Sequence, residues 1–201
     1  MQGFLKLNHE MARVMNVDCL DIPDVKVVAP ARFSDERGFF SEAYNERSFA
    51  AAGVDARFVQ DNHSYSASVG TVRGLHFQSP PYAQAKLVRV AVGRIFDVAV
   101  DIRRGSPTFG HSVAVELSAD TGNQLFIPAG FLHAFMTLEP DTHVLYKVDA
   151  FYSREHDGSV RFDDPDLAID WPLPAEEAVL SKKDAAAPSW AEFESPFQYE
   201  R

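Results

Sequence analysis

The sequence predicts an all-β fold, a sandwich or barrel of many short strands with one short helix. Three observations predict it. Turn residues recur at short intervals from about Val25 to Phe162. The segments between them are rich in β-branched and aromatic side chains, which suit a pleated, half-buried surface. Two segments alternate with period two, Val88-Val90-Val92 and Val113-Val115-Leu117, as strands with one packed face do. Many such strands at this spacing close into sandwiches or barrels.

Taken in order, Val25, Val27 and Val28 run into Pro30, and Phe39, Phe40 and Tyr44 follow a turn at Arg37-Gly38. Asn45 carries an N-cap side chain, so a helix is expected over Glu46 to Ala52, closed by Gly53. Strands are expected at Ala56–Tyr65, Thr71–Phe77, Lys86–Val92, Arg94–Ile102, His111–Leu117, Gln124–Ile127, Leu132–Leu138 and Val144–Phe151. Turn residues separate them: Val69-Gly70, Ser79-Pro80-Pro81, Gly93, Gly105-Ser106-Pro107, Gly122-Asn123, Pro128-Ala129-Gly130 and Pro140-Asp141. From Ala175 onward Ala, Pro and charged residues increase, which predicts helical turns and loops covering one end.

A chain of 201 residues, 46% hydrophobic and 24% charged, has the size and composition of one folded domain. Its 29 acidic residues outnumber 19 basic ones, giving a net charge of -10. Such a surface repels long nucleic acid, but a few arginines in one pocket can still hold a small anion. A single cysteine, Cys19, excludes an internal disulfide framework and points to a reducing cytoplasm. No apolar run reaches membrane-spanning length, and Met1 to Met15 lacks the apolar core of a secretory signal. Met15 precedes a natural strand entry at Val17, Leu20 and Ile22, so residues 1–14 read as an N-terminal extension or an upstream start, 15–187 as the domain, and 188–201 as a C-terminal tail.

Two segments concentrate the chemistry, Gly70-Thr-Val-Arg73-Gly74-Leu75-His76-Phe77-Gln78 and Gly122-Asn-Gln-Leu-Phe-Ile-Pro128-Ala-Gly130-Phe-Leu-His133. They resemble the two halves of the cupin signature, which implies a cupin or jelly-roll β-barrel with a short N-terminal helix and a covering C-terminal tail. In the first half Gln78 stands where a second metal-binding histidine belongs, and no glutamate follows in Pro80 to Ala83. A catalytic transition metal usually takes about three protein ligands. His76 and His133 lack a third, so the pocket is expected to hold no metal. Either histidine alone would read as a satisfied structural residue. Two at matching barrel positions favour a site.

A longer series of motifs is similar to the dTDP-4-dehydrorhamnose 3,5-epimerase family: Asp35-Glu-Arg37-Gly38-Phe-Phe40, Val59-Gln60-Asp61-Asn62-His63, Arg73-Gly-Leu-His76, Lys86-Leu-Val-Arg89, Phe96-Asp-Val-Ala-Val-Asp101, Leu145-Tyr146-Lys147 and Leu180-Ser181-Lys-Lys-Asp184. The resemblance runs from about Met15 to Asp184, and its motifs fall in the family's order. It implies His76 as general base paired to Asp184, Tyr146 as acid on the opposite face, and Lys86 as the group stabilising an enolate. It implies Arg37, Glu42, Gln60, Asn62, Arg73 and His133 along the substrate pocket, with Tyr152 near the nucleotide base. It also implies a cytoplasmic homodimer that acts on a dTDP-linked 4-keto-6-deoxy sugar without a cofactor. The family pattern is not matched everywhere. Phe77 and Phe151 stand where tyrosines are common, Phe162 where a tryptophan is, and Ala85 where a glycine is.

The chemistry stands beside the resemblance. In a 4-keto hexose C3 and C5 both flank the carbonyl, so one ketone acidifies both protons. Inversion needs a base on one face, an acid on the other and a charge partner for the oxyanion. Histidine titrates near neutrality, at about 6.5, and suits the base. Lysine is a compact cation for the enolate oxygen. Tyrosine, ordinarily at about 10, is expected to donate once its surroundings lower that value. Judged alone, Lys86 would be an edge lysine, Tyr146 a packed aromatic, Asp184 a surface carboxylate and Arg37 a turn residue. A 3-epimerase of the same fold, a metal-dependent cupin oxygenase and a non-catalytic sugar-binding cupin are the alternatives.

Overall fold

The computed structural model describes residues 15–199; the extension expected at 1–14 lies outside them. Fifteen strands in chain order are β1 (Asn16–Cys19), β2 (Lys26–Ala29), β3 (Arg32–Asp35), β4 (Gly38–Ser41), β5 (Gln60–Ser66), β6 (Val72–Gln78), β7 (Lys86–Val92), β8 (Arg94–Asp101), β9 (Arg103–Arg104), β10 (Ser112–Ser118), β11 (Gln124–Ile127), β12 (Phe131–Thr137), β13 (Thr142–Val148), β14 (Asp157–Ser159) and β15 (Phe197–Gln198). A six-stranded sheet in the order β1-β2-β11-β7-β13-β5 faces a five-stranded sheet in the order β10-β8-β12-β6-β14. The two form the all-β jelly roll that the sequence predicts.

Period-two alternation builds the interior. Val88, Val90, Leu125, Ile127 and Val144 from one sheet meet Ile95, Ala99, Val113, Leu117, Phe131 and Phe135 from the other in one buried cluster. Each fully buried aliphatic or Phe side chain contributes about 1.5–3 kcal/mol relative to exposure. Toward the β5–β14 end this core gives way to polar side chains, and the site opens there.

Helix α1 (Glu46–Ala51) starts where expected. The Asn45 side chain accepts hydrogen bonds from the Arg47 and Ser48 backbone N–H groups at 3.1 and 3.2 Å. Its Phe49 packs with Val28, Leu87 and Phe126 on the outer face of the six-stranded sheet.

The expected strand at 56–65 begins only at Gln60, because Ala56 and Phe58 turn aside to pack under α1. The expected strand at 144–151 ends at Val148. There Asp149 Oδ1 accepts from the Ala85 N–H at 2.7 Å, and the chain leaves the sheet as the loop that carries Tyr152.

The C-terminal segment covers the outer face of the five-stranded sheet rather than one end alone. Trp171, Trp190, Phe193 and Phe197 pack against Leu75, Val98, Val100, Leu132 and Ala134. Helix α2 (Lys182–Ala185) departs from that face: it contacts β6 and turns Asp184 toward the space between the sheets.

Candidate active site

Two strands set the centre of the site. β6 and β12 pair with His76 opposite His133, and their register shifts between His133 and Phe135. The shift reverses the alternation along β6. Val72 and Leu75 face outward into apolar clusters, whereas Arg73 and His76 both face the interior cavity. Gly74 permits this close passage. A Cβ at that position would lie 2.5 Å from the His133 carbonyl oxygen and from Ala134 Cβ, and its φ of 127° disfavours any side chain.

The cavity has two adjoining lobes of about 170 and 230 Å³ that share His76, Lys86, Tyr146 and Lys183. Gln60, Asn62, Tyr152 and Asp157 line one lobe, and Arg73, His133, Phe135 and Asp184 the other. His76 and His133 come from the five-stranded sheet, Lys86, Tyr146, Gln60 and Asn62 from the six-stranded sheet. The two nitrogen bases and the phenol therefore stand on opposing walls.

His76 Nε2 lies 2.5 Å from Asp184 Oδ1. Ser181 caps the short turn of α2 and donates its hydroxyl to Asp184 Oδ2 at 2.7 Å, while the Asp184 N–H donates to Ser181 Oγ at 3.1 Å. Burial pushes the Asp184 carboxyl up, but the hydrogen bonds from His76 and Ser181 and the Lys183 charge outweigh it. The carboxyl stays below its ordinary value and ionised. A carboxylate on Nε2 leaves Nδ1 as the ring nitrogen free to take a proton.

Withdrawal from water pushes the Lys86 ammonium down to about 8, against the pull of Asp97 and Asp157. His133 Nε2 meets Asp97 Oδ1 at 2.9 Å, and burial lowers the His133 value despite that carboxylate. Asp97 Oδ2 is buried and without a hydrogen-bond partner among the described residues. For Tyr146 the expected lowering is reversed. Burial raises its phenol above the ordinary value, Asp157 adds to that, and Arg73 only partly offsets them. The phenol therefore keeps its proton, as a donor to a strongly basic enolate must.

Of the other residues singled out from sequence, Gln60 Nε2 donates to Asn62 Oδ1 at 2.8 Å, and Gln60 Oε1 accepts the Tyr152 N–H at 3.2 Å. Arg73 is steadied by the Tyr65 carbonyl at 2.7 Å and Ser66 Oγ at 3.3 Å. Arg37 and Glu42 are not in the cavity of their own chain. Arg37 pairs with Asp35 on the β3–β4 hairpin, its side chain 83% exposed, and Glu42 is exposed just beyond β4.

Sequence reasoning missed Lys183 and Asp157 as parts of the wall, and Asp97 as the buried carboxylate on His133. Lys183 and Asp97 lay within motifs already recognised, next to Asp184 and Phe96. Asp157 carried no signal, because only β14 pairing with β6, Asp157 opposite Gln78, brings it there. Among the described residues no three His, Cys, Asp or Glu side chains gather as metal ligands.

A sequence model described as dTDP-4-dehydrorhamnose 3,5-epimerase matches residues 19–192. A Sinorhizobium fredii protein of that name is 52% identical over 185 residues, covering 92% of this chain and 94% of its own. The solved structure of a Bacillus anthracis dTDP-4-dehydrorhamnose 3,5-epimerase with TDP and pyrophosphate bound is similar, with a TM-score of 0.85 and 49% identity. It covers 88% of this chain and 99% of that one. A Legionella pneumophila 3,5-epimerase in complex with dTDP-4-keto-L-rhamnose has a TM-score of 0.88 and 44% identity, covering 94% and 100%.

Proposed function

The chain belongs to the dTDP-4-dehydrorhamnose 3,5-epimerase family, and from that premise we propose how its cavity performs the inversion. The enzyme is an isomerase that converts dTDP-4-dehydro-6-deoxy-D-glucose to dTDP-4-dehydro-L-rhamnose. The observation that carries the mechanism is the placement of His76 and Tyr146 on opposing sheets around one cavity. A keto-sugar ring between those walls presents one face to each.

His76 takes the proton from C3 or C5, and the ionised Asp184 stabilises the imidazolium that forms. The electron pair moves to O4, where the Lys86 ammonium meets the developing charge. Tyr146 returns a proton to the same carbon from the other face. His76 then gives up its proton to water and Tyr146 regains one, and the second centre is inverted by the same route through the same ketone. No electrons leave the sugar, so the reaction needs no redox cofactor, and the Lys86 ammonium supplies the positive charge at O4.

Arg73 holds the diphosphate through its guanidinium, His133 and Asn62 border the sugar, and Gln60 and Tyr152 lie toward the base. The enzyme works as a cytoplasmic homodimer. The β3–β4 hairpin joins neither sheet and exposes Phe39 and Phe40 at 58% and 70%. Docked on a second copy, it would carry Arg37 and Glu42 to the partner's cavity. No helix among the described residues is long and apolar enough to cross a membrane.

Incubation with the dTDP-keto sugar in deuterated water tests the reading. Product labelled at both C3 and C5 is expected. Label at one carbon alone would make the enzyme a single-centre epimerase.

A further inference from the structure

Gln78 sits two residues beyond His76 on the same face of β6, where a complete cupin half carries a metal-binding histidine. Its side chain does something else. The residue is buried, 4% exposed. Nε2 donates to the Tyr82 carbonyl at 2.7 Å and to the Phe151 carbonyl at 3.2 Å, and Oε1 accepts the Ser153 N–H at 2.7 Å. Phe151 and Ser153 flank Tyr152, whose own N–H is held by Gln60. The backbone of this loop is thus pinned at three consecutive residues by glutamines from the two opposing sheets.

Nothing apolar does that work. Phe151 is 65% and Tyr152 57% exposed, so burial does not anchor the loop. At its far end the Tyr152 hydroxyl donates to Asp157 Oδ2 at 3.1 Å. A neutral amide suits the position because it serves two carbonyl oxygens and one N–H together. A neutral imidazole has one donor and one acceptor, and a carboxylate has no donor.

We propose that Gln78 is a positioning residue for the nucleotide end of the pocket, fixing the 151–153 loop so that the Tyr152 ring is set against the pyrimidine base of the substrate. The proposal rests on the reading of Tyr152 as a nucleotide contact. A loop held in place before the ligand arrives spares binding the cost of ordering it. Loss of the clamp therefore weakens nucleotide binding and leaves proton transfer at His76 intact.

Titration calorimetry with dTDP, and steady-state kinetics on the dTDP-keto sugar, are run on Gln78→Leu, Tyr152→Ala, the double variant and Gln78→Glu. Gln78→Leu is expected to weaken dTDP binding and raise KM by roughly tenfold, with kcat and deuterium uptake within about twofold of the parent. Tyr152→Ala should weaken dTDP binding, and adding Gln78→Leu to it should cost little more. Unchanged dTDP affinity in Gln78→Leu, or losses that simply add in the double variant, overturn the proposal and leave the nucleotide role of Tyr152 standing. Unchanged affinity in Tyr152→Ala removes that role and the proposal with it. Should Gln78→Leu fail to fold, Gln78→Glu decides. Protonated, it keeps the acceptor and one donor; ionised, it sets a charge against two carbonyls. Its dTDP affinity should fall with rising pH relative to the parent, and a parallel profile overturns the clamp.

Discussion

His76 Nε2 and Asp184 Oδ1 lie 2.5 Å apart although 108 residues separate them in sequence. The contact forms because the C-terminal segment packs Trp171 and Trp190 over the outer face of the five-stranded sheet and so lays α2 against β6. The fold of the tail therefore decides which carboxylate meets His76. Asp184→Asn keeps the shape and removes the charge, and its amide can hold the ring in the wrong tautomer. The expected loss in kcat is on the order of 10²–10⁴, with KM little changed. Steady-state rates on the keto sugar measure it, and a loss under about tenfold would take Asp184 out of the pair.

Lys86 sets the alkaline limit. Its ammonium is charged below about 8 and neutral above, so enolate stabilisation is present on the acid side and lost as pH rises through that value. The kcat profile should show a descending limb near 8. Lys86→Arg holds its charge throughout, and whatever its absolute rate, that limb should vanish. A limb unmoved in Lys86→Arg would assign it to another group.

Much of this was legible from sequence where local rules decide the outcome. β7 and β11 have the bounds expected between their flanking turn residues, and Asn45 caps the helix its side chain announces. What escaped depends on pairing between distant segments. Strict period two puts Arg73 and Leu75 on one face, and the register shift opposite His133 puts them on two. Asp157 reaches the wall only through β14. The raised Tyr146 phenol follows from burial, which a residue pattern does not reveal. Arg37 and Glu42 were singled out by motif, while neither lines the cavity of its own chain.

Arg73 should govern binding. It brings positive charge to the lobe opposite the nucleotide-lining glutamines, in a chain of net charge -10. Arg73→Ala is expected to weaken dTDP binding by about 10- to 100-fold, the range for a lost hydrogen bond to a charged group. Isothermal titration with dTDP measures it, and parental affinity would remove Arg73 from the diphosphate site.

Gly74→Ala should disrupt the strand crossing that sets His76 opposite His133. The added Cβ meets backbone and Ala134 at 2.5 Å, and overpacking plus a positive φ predict a fall in Tm of about 5–10 °C. Thermal unfolding by circular dichroism measures it. A melting curve superimposable on the parent would mean that the strands part without cost.

The central claim is that His76 removes the proton and Tyr146 returns one from the opposite wall. The most direct measurement is deuterium content at C3 and C5 of recovered substrate and of product, for His76→Ala and Tyr146→Phe in deuterated water. His76→Ala should take up no label and make no product, since no enolate forms. Tyr146→Phe keeps the ring and loses the phenolic proton, so the enolate forms and is reprotonated from the side it left. That variant should return labelled substrate with little inverted product. Label entering with His76→Ala at the parental rate would contradict the account at its first step.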